Sequence, residues 1–198
     1  GQRIFEVTDV HVEVKDRDDA EDPEEIDGSI EFRDVTFGYE AGNPILKNIS
    51  FNVSPGETVA LVGPTGSGKT STTSLVHRFY DTWEGDVLVG GQNVRDVTQA
   101  SLGRHIAMVL QEPFLFSASI EENIRYAKTD ATFDDVVAAA KAVGAHEFIM
   151  RLEAGYQTQL DQRGINLSFG QRQLISFARA LVADAKILVL DEATASVD

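Results

Sequence analysis

Cysteine is absent from the 198 residues. That excludes disulfides and thiolate-held metals, and it suits a reducing cytoplasm. No run of 18 apolar residues occurs, so none of these residues forms a membrane-crossing helix. Residues 1–20 carry no secretory signal pattern. Positive charge is scarce: 17 Lys and Arg stand against 32 Asp and Glu, a net charge of −15. A chain this poor in clustered cations lacks what a phosphate backbone requires, so nucleic acid is not an expected partner. The histidines His11, His77, His105 and His146 are scattered without ligand spacing, so no imidazole metal site is expected.

What is present reads as one α/β domain with an acidic front. Residues 1–28 hold 11 acidic and 3 basic side chains, which concentrates over half of the net charge there. Within them KDRDDAEDPEEIDG offers Ile26 alone as a large apolar group, so residues 15–28 read as a linker that cannot bury enough surface to order itself. RIFEV and VHVEV, ahead of it, are amphipathic pieces without a visible partner. The chain is therefore expected to begin partway through something larger, and to be cut again at Asp198.

Beyond the linker, SIEFRDVTFGY alternates in polarity and predicts a strand with Ile30, Phe32, Val35 and Phe37 in the core. ILKNISFNV predicts a second strand. GDVLVGGQNV predicts a hairpin turning at Gly90-Gly91. TVALVG, HIAMVLQ and KILVLDE are apolar runs of the kind that form buried parallel strands. Helices are expected over Lys69–Tyr80, with Leu75, Val76 and Phe79 inward, and over Asp134–Val143 and Ala145–Leu152. A further helix is expected over Ser168–Val182, with Leu174, Phe177, Ala178 and Leu181 on one face. Strands alternating with helices predict a parallel sheet.

Two segments carry chemistry. GPTGSGKT follows an apolar run and opens a helix, the setting of a phosphate-binding loop. Its glycines let backbone N–H groups curl around phosphate oxygens, and the helix N-terminus adds a favourable field. The predicted nucleotide contacts here are Gly63, Pro64, Thr65, Gly66, Ser67, Gly68, Lys69, Thr70 and Ser71. Lys69 would reach the outer phosphates, and the Thr70 hydroxyl would sit on Mg²⁺. ILVLDE ends a strand in two carboxylates: Asp191 would hold Mg²⁺ through water, and Glu192 would orient or deprotonate the attacking water.

LSFGQRQL, a helix, and then ILVLDEATASVD resemble the signature region of the ABC ATPases, with the P-loop NTPase motif upstream. The resemblance runs over residues 2–198. It implies an ABC-type ATPase head over residues 29–198, with a parallel core sheet, an antiparallel β subdomain and a helical signature subdomain. Residues 1–28 would then be an N-terminal segment and acidic linker from a transmembrane domain. Ser168, Gly170 and Gln171 would bind the γ-phosphate of ATP held by a second such domain. Phe169 stands where the family has glycine. Tyr39 would stack on adenine, Gln111 would touch Mg²⁺ and the attacking water, and residues 195–198 match the D-loop. The family's later γ-phosphate histidine has no counterpart before residue 198.

QEPFLFSASIEENIRYA and GAHEFIMRLEAGYQTQLDQRG look like the exporter type, with Asp161 and Gln162 where Gly and Glu are usual. The implied function is ATP binding and hydrolysis, catalysed by Glu192, Gln111 and Lys69. It would power export from the cytoplasmic face of the plasma membrane. Chromosome-maintenance heads carry coiled-coil insertions between the phosphate loop and the signature, and this interval has neither heptads nor basic stripes. Intact Lys69, Asp191 and Glu192 argue against a merely regulatory domain.

Overall fold

The alternation in residues 30–37 breaks its parity: Ile30 and Phe32 are followed by Val35 and Phe37, an odd step between the pairs. A regular strand would send the two pairs to opposite faces. The computed structural model, which describes residues 14–191, resolves this with a β-bulge. Strand β1 (Ile30–Phe37) slips register between Phe32 and Val35 against β2 (Leu46–Val53), and Asp34 takes a φ of 50°. The Asp34 N–H donates to Ser50 Oγ at 2.8 Å, and that hydroxyl donates back to Asp34 Oδ1 at 2.9 Å. The extra residue is thus satisfied by the neighbouring strand, and Phe32, Val35 and Phe37 are all buried.

Two compact units divide the chain after Gly103. In the first, β1 also pairs antiparallel with β3 (Glu84–Val89), which turns into β4 (Gln92–Asn93), giving the order β2-β1-β3-β4. The turn is Gly90-Gly91, with φ of 59° and 77°, as a tight hairpin with two left-handed residues requires. Helix α1 (Lys69–Val76) follows the phosphate-loop sequence, and α2 (Gln99–His105) closes this part of the chain.

Helix α1 stops four residues before the predicted Tyr80. Arg78 N–H bonds Leu75 O at 3.1 Å and Phe79 N–H bonds Ser74 O at 3.0 Å, the paired bonds of a Schellman cap. The reversal demands a left-handed residue, and Arg78 supplies it at φ 53° where glycine is usual. The chain therefore turns before Phe79, which is exposed rather than inward.

The acidic segment is not the unordered linker its composition predicts. Glu21 N–H bonds Asp96 O at 2.7 Å and Thr98 N–H bonds Glu21 O at 2.9 Å, a single parallel bridge beside Val97. Ser101 Oγ donates to Pro23 O at 3.1 Å, and Arg17 pairs with Asp96. Backbone hydrogen bonds and ion pairs replace the apolar burial that the segment lacks.

The second unit holds β5 (Ile106–Val109) parallel to β6 (Ile187–Leu190), in register from Ile106↔Ile187 to Val109↔Leu190. Around them lie α3 (Ile120–Arg125), α4 (Phe133–Ala142), α5 (His146–Arg151) and α6 (Phe169–Val182). Leu115, Ile120, Ile124, Val136, Ile149 and Ile175 form the helical core. On α6 the buried face runs through Ile175, Ala178 and Val182; Leu174 and Phe177 are half-buried, and Leu181 is exposed. Ala180, with Phe177, packs instead against Val109.

Two predicted strands differ from expectation. Residues 58–63 carry no regular structure, and Val62 is 88% exposed. A parallel strand is held by neighbours' backbones, and among the described residues no strand pairs with this run. β6 is not buried on both faces: Ile187 and Val189 are inside while Leu188 and Leu190 are exposed, because one face alone is covered.

Candidate functional site

The phosphate loop is shaped by its glycines and closed by its lysine. Gly68 caps α1 at φ 90°, and an added Cβ would lie 2.6 Å from Leu46 Cδ2. Both the dihedral and the close approach demand glycine there. Ser67 N–H bonds Pro64 O at 3.1 Å, which curls the loop. The Lys69 ammonium donates to Gly63 O at 2.9 Å and Pro64 O at 3.1 Å, so it lies across the loop with its third N–H beyond these two bonds. Gly63, Pro64, Thr65, Gly66 and Ser67 are exposed, as is Thr70, the second residue of the helix. Such a ring at a helix N-terminus suits an anion with several oxygens.

Ser71 is buried one residue further on, and its hydroxyl shares a 3.0 Å hydrogen bond with the Tyr39 hydroxyl. Tyr39 is thereby fixed to the phosphate-loop helix. Its ring meets Phe37 and Tyr80 edge-on, with centroids 5.1 Å away in each case, and stays 51% exposed. A ring held at its edge and open on a face can stack on a base. A cavity of about 210 Å³ adjoins it, lined by Val14, Phe37, Gly38, Tyr39, Tyr80, Asp81 and Trp83.

In the second unit the register of β5 and β6 brings two other predicted residues to one end of a parallel pair. Asp191 follows β6 directly, and its N–H bonds Val109 O at 3.0 Å. Gln111 leaves β5 two residues past Val109, on the same carboxyl end, and is exposed. Open α/β sheets bind ligands at that end. Within this unit, the amide of Gln111 and the carboxylate of Asp191 offer hard oxygen donors. Among the described residues no three His, Cys, Asp or Glu side chains cluster around a metal position. Glu192 and the D-loop residues 195–198 lie outside the described residues, as do RIFEV and His11.

The signature segment starts α6 with a capping box. Ser168 Oγ accepts from Gln171 N–H at 3.2 Å, and Gln171 Oε1 accepts from Ser168 N–H at 2.9 Å. The serine hydroxyl still has its own proton to donate outward. Phe169 is the first helical residue, is absent from the residues with positive φ, and is 37% exposed, with the Arg172 guanidinium 5.9 Å from its ring centroid. The position makes no demand for glycine. A Cβ at Gly170 would meet nothing within 4 Å.

Sequence reasoning missed the groups that brace this unit. Asn123 is fully buried; its Oδ1 accepts from Phe116 N–H at 2.8 Å, and its Nδ2 donates to Phe116 O and Ser119 O, each at 3.0 Å. Arg179 on α6 donates to Asn123 O, Asn123 Oδ1 and Phe114 O at 2.8–2.9 Å and lies over Phe116 and Tyr126. Burial pulls its pKa below the usual arginine value. The pair ties α6 to the segment that begins at Gln111. No local pattern announces an Asn–Arg pair 56 residues apart.

Comparison with known proteins agrees with this geometry. The ABC transporter family profile matches residues 46–195. The ABC transporter ATP-binding protein YfiC of Bacillus subtilis, itself uncharacterized, is 48% identical over 198 residues, all of this chain and 33% of that protein. The β-(1→2)glucan export ATP-binding/permease protein NdvA of Nitrobacter winogradskyi is 46% identical over 197 residues, 32% of its length. An ATP-dependent lipid A-core flippase of Syntrophus aciditrophicus is 42% identical, over 33% of its length. The solved structure of a bacterial Atm1-family ABC exporter with ATP bound superposes with a TM-score of 0.93 at 41% identity, covering all of this chain and 34% of that one. The chain thus spans about a third of the relatives it matches. With the phosphate loop, the capped signature helix and the strand ending in Asp191 all in place, the chain belongs to the ABC transporter family and has the fold of its ATPase domain.

Proposed function

We propose that this chain binds Mg-ATP and hydrolyses it to power export of a substrate across the plasma membrane, from its cytoplasmic face. In this reading a transmembrane domain is linked to residues 1–28, and two such ATPase domains enclose the nucleotide. The observation that carries it is the phosphate loop, with the Lys69 ammonium lying across it on the Gly63 and Pro64 carbonyls and α1 opening behind. Phosphate oxygens would take the place of those two carbonyls as the partners of Lys69. Tyr39 would stack on the base.

Thr70, Gln111 and Asp191 would hold Mg²⁺, whose chemistry there would be positive charge against the outer phosphates. Glu192 would take the proton of the attacking water, and Gln111 would orient that water. Ser168 would donate its hydroxyl proton to the γ-phosphate held by the partner domain, while its oxygen keeps the Gln171 N–H bond that fixes the helix start. Catalysis on this plan is positioning and charge stabilisation.

Calorimetry on the complete transporter tests the binding half. Lys69→Ala should lose most ATP affinity, and equal affinity in the two proteins would sink the assignment. Glu192→Gln tests the chemical half: the amide keeps the shape and loses the base, so ATP binds and turnover collapses. Wild-type turnover in that variant would remove Glu192 from the mechanism.

A further inference from the structure

Arg78 is one of the largest fully buried side chains described, at 2% exposure, and it occupies a backbone position that glycine would fill with less strain. A strained residue is retained when its side chain is needed. Its Nη2 donates to Lys15 O at 2.9 Å. Its Nη1 donates to Val97 O at 3.2 Å and Asp16 Oδ1 at 3.3 Å, and its Nε donates to Asp81 Oδ1 at 3.2 Å.

The same Asp16 oxygen accepts from Gln99 N–H at 3.0 Å, at the start of α2, and Gln99 Nε2 returns a bond to Arg78 O at 3.4 Å. One guanidinium thus joins the acidic segment, the Val97 strand bridge and the end of α1. The other end of α1 is the phosphate loop, one rigid helix of eight residues away.

We propose that Arg78 is a positioning residue that latches residues 14–23 to the end of the phosphate-loop helix, so that the segment and the nucleotide site respond to each other. The inference rests on the function proposed above. It adds the route by which a chain entering at residue 14 senses the nucleotide. Anything that fixes Lys69 on phosphates fixes α1 as a body, and the Schellman turn carries that constraint to Arg78 and through it to Lys15 and Asp16. By reciprocity, pulling the segment off its latch alters nucleotide binding.

The test is hydrogen–deuterium exchange on the complete transporter, with and without a non-hydrolysable ATP analogue and Mg²⁺. Arg78→Gly is the sharpest variant, because glycine suits the turn while every bond of the guanidinium is lost. In the wild type, the analogue should slow exchange in residues 14–23. In Arg78→Gly those amides should exchange at least about tenfold faster and no longer respond to the analogue, although the analogue still binds. Asp16→Asn, at a half-exposed partner, should lose part of the response, and it decides the matter if Arg78→Gly does not fold.

A nucleotide response that survives in Arg78→Gly, or is unchanged in Asp16→Asn when that variant must decide, overturns the latch. So does a wild type that binds the analogue without any change in residues 14–23. A wild type that binds no analogue overturns the proposed function as well, so the two failures are told apart by the binding measurement.

Discussion

The two units of this chain are held by different means. Residues 104–191 enclose an apolar core of helices, three of which begin with a reciprocal capping box: Ser119 with Glu122, Thr132 with Asp135, Ser168 with Gln171. Residues 14–103 carry one antiparallel sheet, with Phe32, Val35, Phe37, Val87 and Val89 among their buried apolar side chains. They rely on special backbone: a bulge at Asp34, a glycine cap at Gly68, and an arginine in a glycine's conformation at Arg78. The helical unit repeats one helix-starting device three times and places Arg163 and Asp184 at positive φ besides; in the phosphate-loop unit singular backbone positions set the strand bulge and both ends of α1. Function follows that division. In the function proposed above, a loop that wraps phosphates would need irregular backbone, and a signature helix would need a firm start.

The largest effect is expected where the regular unit depends on one polar side chain. Asn123→Leu keeps the volume but leaves Phe116 N–H without its acceptor and deprives half-buried Arg179 of one of its partners. The cost should be about 3 kcal/mol or more, seen as a lowered unfolding midpoint. A loss below about 1 kcal/mol would mean that water replaces the asparagine as a hydrogen-bond partner.

In the other unit, Gly68→Ala tests whether one backbone atom controls the phosphate loop. The new Cβ meets Leu46 at 2.6 Å while φ stays at 90°. The expected cost is about 1–3 kcal/mol, together with weaker ATP binding by calorimetry. Wild-type affinity would show the loop to be adaptable at its cap.

These contrasts explain what the sequence discloses. Periodicity revealed β1, the Gly90-Gly91 hairpin and α6 within a residue or two, because each element's state is set by its own residues. The P-loop spacing marked the loop that opens α1, and the Ser168–Gln171 pair marked the start of α6, for the same reason. Residues 58–63 misled, since an apolar run becomes a strand only beside another backbone. The end of α1 misled, since an arginine in a left-handed cap looks like any helical arginine. The acidic segment misled because composition counts burial and not hydrogen bonds, and Arg78 supplies bonds from a distance. Asn123 and Arg179 gave no signal at all: their partner lies far off in sequence.

A smaller effect separates the three caps by chemistry. Hydrogen bonds from the Ser119 backbone and side chain hold the Glu122 carboxyl below its ordinary range. Those from the Thr132 side chain and backbone do the same for Asp135. A depressed folded pKa gives stabilisation that is present above the ordinary carboxylate range and lost as pH falls through the folded value. Acid should therefore fray α3 and α4 at their first turns. The Gln171 amide does not titrate, so α6 should keep its start. Carbon chemical shifts at residues 119, 132 and 168 during an acid titration check this. Parallel loss at all three would assign the effect to general unfolding.

The smallest effect is expected at Phe169, and it decides whether the signature departs from the family in substance. The usual glycine there would matter if the backbone needed a positive φ, but Phe169 is an ordinary first residue of α6 and lies outside the left-handed region. Its N–H is supplied as well by phenylalanine as by glycine. The half-exposed ring, with Arg172 5.9 Å away, gives up little water and gains a weak cation–π contact. Phe169→Gly trades that contact for greater backbone freedom, a change of about 1 kcal/mol or less. ATP turnover of the complete transporter should change by less than roughly tenfold, or about 1.4 kcal/mol. Ser168→Ala should do far more harm, because it removes both the cap and the proton offered to a phosphate. Orders of magnitude gained by Phe169→Gly would show a signature crippled by its aromatic side chain, and would place the competent signature on a paralogous partner domain.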